Sequence, residues 1–113
     1  MSKPICIAVD AMGGDNSPKK IIKGIEIHNS QSDNIFYNIF GNKYIIDPII
    51  KKSNLTSNVY KITNTINFIE DTDSALSAAK RGKDTSMWLA IESVRNGESD
   101  AIVSAGNTGA LFI

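Results

Sequence analysis

The residues best suited to chemistry are Ser104-Ala105-Gly106-Asn107-Thr108-Gly109-Ala110. Ser, Asn and Thr supply hydroxyl and amide donors. The glycines let the backbone turn sharply, and a helix expected to begin near Thr108 would turn its first N–H groups toward the same point. No carboxylate interrupts the run, so the chemistry that suits it is the holding of an anion or a developing oxyanion. A plain strand-to-helix turn with a good N-cap would use the same residues. The run follows Ala101-Ile102-Val103, whose unbroken apolar character predicts a short strand buried on both faces of a sheet.

Two further stretches have related character. Ile5 to Val9 is another continuous apolar run, ended by Asp10 and followed by Ala11-Met12-Gly13-Gly14-Asp15-Asn16. Its lack of alternation again predicts a strand buried on both faces, and Ser17-Pro18 then reads as a helix start, with a hydroxyl to cap and proline at the first helical position. Ile21, Ile22 and Ile25 share one face of that helix, with Lys19, Lys20 and Lys23 outside. In open parallel sheets ligands sit beyond the carboxyl ends of strands, which is where Asp10, Gly13, Gly14 and Asp15 would lie. The turn lacks the G-x-G-x-x-G of dinucleotide sites, and a tight turn that merely needs glycine fits as well as a binding role. The other stretch is Lys80-Arg81-Gly82-Lys83-Asp84-Thr85-Ser86-Met87, where cations lead into a helix that Asp84 or Thr85 would cap and Gly97 would close. A phosphate or a phosphopantetheine arm would suit Lys83 and Ser86; a solvated charge cluster is the other reading.

Composition limits the alternatives. The chain has 113 residues, 42% of them hydrophobic and 21% charged, as in a globular domain. Twelve basic and twelve acidic residues cancel, which leaves no field to hold nucleic acid by its phosphates. No apolar stretch approaches the roughly 20 residues of a membrane span, and the N-terminus does not read as a signal peptide, so a cytoplasmic protein is expected. Cys6 is the only cysteine and sits among Ile5, Ile7 and Val9, which predicts a small buried hydrophobe, not a nucleophile or a metal ligand. His28, the only histidine, falls among polar residues and is expected at the surface.

The elements that must position these stretches alternate. Ile35 to Phe40 predicts a second strand and Tyr44 to Lys52 a helix that Pro48 should shorten or kink. Val59 to Ile62 predicts a third strand, and Ala75 to Ala79 a short helix after a polar loop. Strands and helices in turn, with short connections, describe a single α/β domain with a mostly parallel sheet over residues 1–113.

Taken together, three motifs resemble the phosphate acyltransferases of bacterial phospholipid synthesis. Ile7-Ala8-Val9-Asp10-Ala11-Met12-Gly13-Gly14-Asp15 with Ser17-Pro18 is similar to that family's opening. Lys83-Asp84-Thr85-Ser86-Met87 resembles its basic, hydroxyl-rich segment, and Val103-Ser104-Ala105-Gly106-Asn107-Thr108-Gly109-Ala110-Leu111 its most specific motif. Two positions depart from the pattern: the family often shows proline near Ala75 and arginine at Lys80, whose fork a lysine does not reproduce.

The resemblance implies a three-layer α/β/α sandwich of the kind shared by phosphotransacetylases and isocitrate-type dehydrogenases, of which this chain would be the first third. It implies that inorganic phosphate attacks the thioester of an acyl-acyl carrier protein to give acyl phosphate, which a membrane glycerol 3-phosphate acyltransferase consumes. No metal or nucleotide cofactor is implied. A homodimer in the full-length form and peripheral association with the membrane are expectations of the same kind. Phosphate is already a nucleophile and a thiolate a fair leaving group, so positioning and oxyanion stabilisation should supply the rate. Asn107, Ser104 and Lys83 are the catalytic candidates. Gly106, Thr108, Gly109, Ser86, Asp10, Gly13, Gly14 and Asp15 are the binding candidates, the two aspartates fixing the loop or pairing with Lys83 and not touching phosphate themselves. A truncated, inactive fragment, a non-catalytic module that binds phosphate or the carrier, and a dehydrogenase-related enzyme are the alternatives. Ending at Ile113 inside an expected helix, the chain alone should be marginally stable.

Overall fold

The apolar runs of the sequence become strands because extended β-branched residues pack well on a pleated surface. The computed structural model describes residues 3–14, 16–65 and 85–104. In chain order they form β1 (Ile5–Asp10), α1 (Lys19–Gln31), β2 (Ile35–Gly41), α2 (Lys43–Lys51), β3 (Tyr60–Asn64), α3 (Ser86–Arg95) and β4 (Ala101–Ser104). The strands make one parallel sheet in the order β3-β2-β1-β4. The chain therefore steps outward from β1 to β3, then returns across β1 to place β4 on its other side. That reversal between β1 and β4 is a topological switch point, where parallel sheets open a crevice at their carboxyl edge.

Helices cover both faces, as expected for an α/β domain. On one, Val9, Tyr37 and Ile39 of the strands pack with Ile22 and Ile25 of α1 and Ile46 and Ile50 of α2. On the other, Ala8 and Phe40 meet Ala90 of α3, with Leu89, Val94 and Ile102 against them. The second layer is thinner because a single described helix supplies it. This corrects the expectation that β1 and β4 are buried throughout: Ile5 is 51% and Val103 52% exposed, and only the second half of β1 is fully enclosed. Within the described sheet β4 is an outer strand and shows the in-and-out alternation of one. Cys6 is accordingly half-buried, its Sγ 3.7 Å from Ser99 Oγ.

Local signals explain most boundaries. Asn42 caps α2 by accepting from the Tyr44 amide at 3.0 Å, and α2 carries Pro48 but closes three residues later, at Lys51. Thr85 caps α3 through the Trp88 amide at 3.2 Å. At the other end of α3, Gly97 takes φ 78° while its amide donates to Val94 O and that of Glu98 to Ser93 O, the paired bonds of a Schellman motif. The start of α1 departs from expectation. The Ser17 hydroxyl donates back to Gly13 O and does not cap the helix, which begins at Lys19 after a cis Ser17–Pro18 bond. A hydroxyl so close to the preceding loop finds a carbonyl acceptor there before it can reach the helix amides. The helix expected at Ala75 to Ala79 lies outside the described residues.

Candidate functional site at the switch point

Asp10 ends the central strand, and in the sheet register it faces Ser104, the last residue of β4. Parallel pairing thus sets a carboxylate and a hydroxyl side by side at the carboxyl edge. The pairing is fixed at its other end by Asp100, whose Oδ2 accepts from the Cys6 amide at 2.9 Å while its own amide donates to Cys6 O at 2.7 Å. Register here is consequential, since a slip of one residue would turn Ser104 to the opposite face.

The Asp10 side chain is a hub. It is 1% exposed and accepts three hydrogen bonds: from Ser86 Oγ to Oδ1 at 2.6 Å, from the Met12 amide to Oδ1 at 3.2 Å, and from Ser104 Oγ to Oδ2 at 2.9 Å. The three donors belong to three separate pieces of chain. Ser86 is the first residue of α3, Met12 lies in the loop after β1, and Ser104 opens the segment that follows β4. A buried carboxylate is stable only when its lone pairs are met, and here both oxygens are. The N-terminus of α3 adds its dipole beside the same group. The loop itself is folded tightly: the Ala11 amide donates to Phe40 O at 3.0 Å, Gly13 O accepts from Ser17, and Gly14 has φ 85°.

Of the residues singled out from the sequence, the structure brings Asp10, Ser86 and Ser104 into one hydrogen-bonded cluster, with Gly13 and Gly14 in the adjoining loop. Asp15, Lys83, Gly106, Asn107, Thr108 and Gly109 lie outside the described residues. A hydroxyl has one proton to give. The protons of Ser86 and Ser104 are donated to Asp10, so these hydroxyls serve the cluster itself. The convergence of Ser86 on Asp10 is not legible in the sequence, because 76 residues separate them.

His28, expected at the surface, is exposed but not idle. Its Nδ1 lies 2.6 Å from the hydroxyl of Tyr37, a buried β2 residue, with the rings edge to face. Burial pushes the Tyr37 phenol above its ordinary pKa. Among the described residues no group of three His, Cys, Asp or Glu side chains is placed to hold a metal ion, and no helix is long and apolar enough to cross a membrane.

Comparison with known proteins gives this geometry a setting. Residues 5–113 match the model of the family described as "Fatty acid synthesis protein". A phosphate acyltransferase of Pelagibacter ubique is 56% identical over 113 residues, covering all of this chain and 33% of that protein. Those of Oenococcus oeni and Azorhizobium caulinodans are 40% and 39% identical over 99% of the chain, which covers 32% of each. The chain spans about a third of the length of these relatives. From residue 5 to its last residue, this chain belongs to the fatty acid synthesis protein family, alongside relatives that are phosphate acyltransferases.

Proposed function

We propose that this chain carries the switch-point part of the active site of a phosphate acyltransferase. In this reading an oxygen of inorganic phosphate attacks the thioester carbonyl of an acyl-acyl carrier protein, and the C–S bond breaks. The acyl phosphate leaves, and the carrier departs as a thiolate that takes a proton from solvent. A membrane acyltransferase that transfers the acyl group to glycerol 3-phosphate is the consumer of the product. The assembled enzyme is a cytoplasmic homodimer that meets the membrane only at its periphery.

The observation that carries the reading is the Asp10 hub, which ties the first and last of the three motifs to the start of α3 in a chain whose relatives include phosphate acyltransferases. Asp10 is a positioning residue in this scheme. It holds Ser86 and Ser104, so that the backbone entering Gly106, Asn107, Thr108 and Gly109 starts from a fixed point at the crevice. Amides of that segment and the Asn107 side chain hold phosphate or the tetrahedral oxyanion, and Lys83 balances the charge. Preorganised donors of this type contribute on the order of 10²–10³ in turnover each.

The test is phosphate-dependent consumption of an acyl-acyl carrier protein, with acyl phosphate trapped by hydroxylamine. A protein of the relatives' full length that contains this segment should form the hydroxamate only when phosphate is present. Consumption of the thioester without phosphate, or no consumption at all, would remove the catalytic assignment and leave a module that binds phosphate or the carrier.

A further inference from the structure

The chain is neutral overall, yet one groove gathers four of its twelve basic residues. It runs between α1 and α2 with a volume of about 830 Å³. Lys19, Lys20 and Lys23 rise from α1 and Lys52 from the end of α2, above a floor to which Ile22, Pro48 and Ile49 contribute. All four lysines are exposed, and among the described residues none has its ammonium group within 4.0 Å of a carboxylate. Among the described residues Glu26 is the one acidic lining residue, and its Oε2 is engaged with the Asn54 amide at 3.3 Å.

Within α1 this arrangement is unfavourable. Lys19 and Lys23 are like charges one turn apart, which destabilises a helix. They stand with Lys20 at the positive end of the α1 dipole, where carboxylates are favoured and the first turn has none. Among the described residues nothing offsets these charges, and a local rule broken in this way marks a surface suited to an acidic partner.

We propose that the α1–α2 groove is the docking surface for an acidic helix of the acyl carrier protein, an inference that rests on the function proposed above. Carboxylates one turn apart on a partner helix match the spacing of Lys19 and Lys23, Lys52 closes the far wall, and the apolar floor receives the side chains between them. The groove is concave, which suits an inserted helix and not a flat lipid surface.

The test uses a protein of the relatives' length carrying this segment and a fluorescently labelled carrier protein, with affinity read by anisotropy at low and moderate salt. The double substitution Lys19→Glu with Lys23→Glu should weaken carrier binding at least tenfold and flatten its salt dependence. Its unfolding transition should remain cooperative, since a carboxylate at position 19 complements the helix dipole and the pair at 19 and 23 exchanges one like-charge repulsion for another. Lys20→Glu with Lys52→Glu is the second variant and should behave alike. Unchanged carrier affinity in either folded variant overturns the proposal. So does an outcome in which the substitutions abolish binding to phosphatidylglycerol-containing vesicles but leave carrier affinity intact. Because affinity is read without turnover, a variant-sensitive complex that forms no acyl phosphate would sink the catalytic reading alone.

Discussion

Asp10 has three donors and two oxygens, and removing it strands more than it deletes. In Asp10→Ala the hydroxyls of Ser86 and Ser104 and the amide of Met12 lose this acceptor, and Ser86 and Met12 are buried. A buried donor left without a partner costs roughly 1–3 kcal/mol, so a loss of at least about 2 kcal/mol is expected in denaturant unfolding. A change below about 0.5 kcal/mol would mean that the cluster holds nothing in place. Tyr37 behaves differently, because its raised pKa comes from burial. A group protonated more firmly in the folded state contributes stability that is complete below its unfolded pKa and is lost as pH rises through the folded one. Relative to Tyr37→Phe, the protein should therefore lose stability as pH climbs above the ordinary tyrosine value of about 10. Parallel unfolding titrations of the two proteins would show whether the alkaline loss follows the phenol. Asp10 announced itself in the sequence as a strand-ending carboxylate before a glycine turn; the identity of its partners did not, since hydroxyls 76 and 94 residues away carry no local mark.

The elements were legible wherever the signal is local. Continuous apolar runs and helical stripes locate β1, α1, β2, α2 and β3 to within a few residues, and Thr85 and Gly97 mark both ends of α3. Burial of a strand depends on its neighbours, which is why β4 reads as a buried run and stands half open. Hydroxyls choose among acceptors only in three dimensions, and Ser17 accordingly faces Gly13 O instead of capping α1. The end of β2 shows a further tertiary demand that sequence does not display. A Cβ on Gly41 would lie 2.5 Å from Ile46 Cδ1 and 2.9 Å from Met12 Cγ, so glycine here lets α2 and the loop after β1 close over the strand end. Gly41→Ala should force both side chains aside and destabilise by about 1–3 kcal/mol, the usual range for overpacking. If thermal unfolding shows no loss, Ile46 and Met12 have room to move that the packing does not suggest. The same substitution pushes on Met12, whose amide is one of the Asp10 donors, and so connects core packing to the site.

At the scale of the whole molecule, strand order does the functional placing. The order β3-β2-β1-β4 puts the ends of β1 and β4 side by side, and the two motifs that most resemble the phosphate acyltransferases leave the sheet there. The α1–α2 groove belongs to the helix layer on the β1–β2–β3 part of the sheet, so the proposed carrier dock lies on the face opposite α3 and the Asp10–Ser86 contact. In the proposed function the segment leaving β4 holds the reacting anion. The most direct measurement is the steady-state dependence of turnover on phosphate for Asn107→Ala, in a protein of the relatives' length, with its unfolding transition recorded alongside. Turnover should fall by about 10²–10³ with the unfolding transition unmoved. Turnover equal to that of the parent in a folded variant would contradict it.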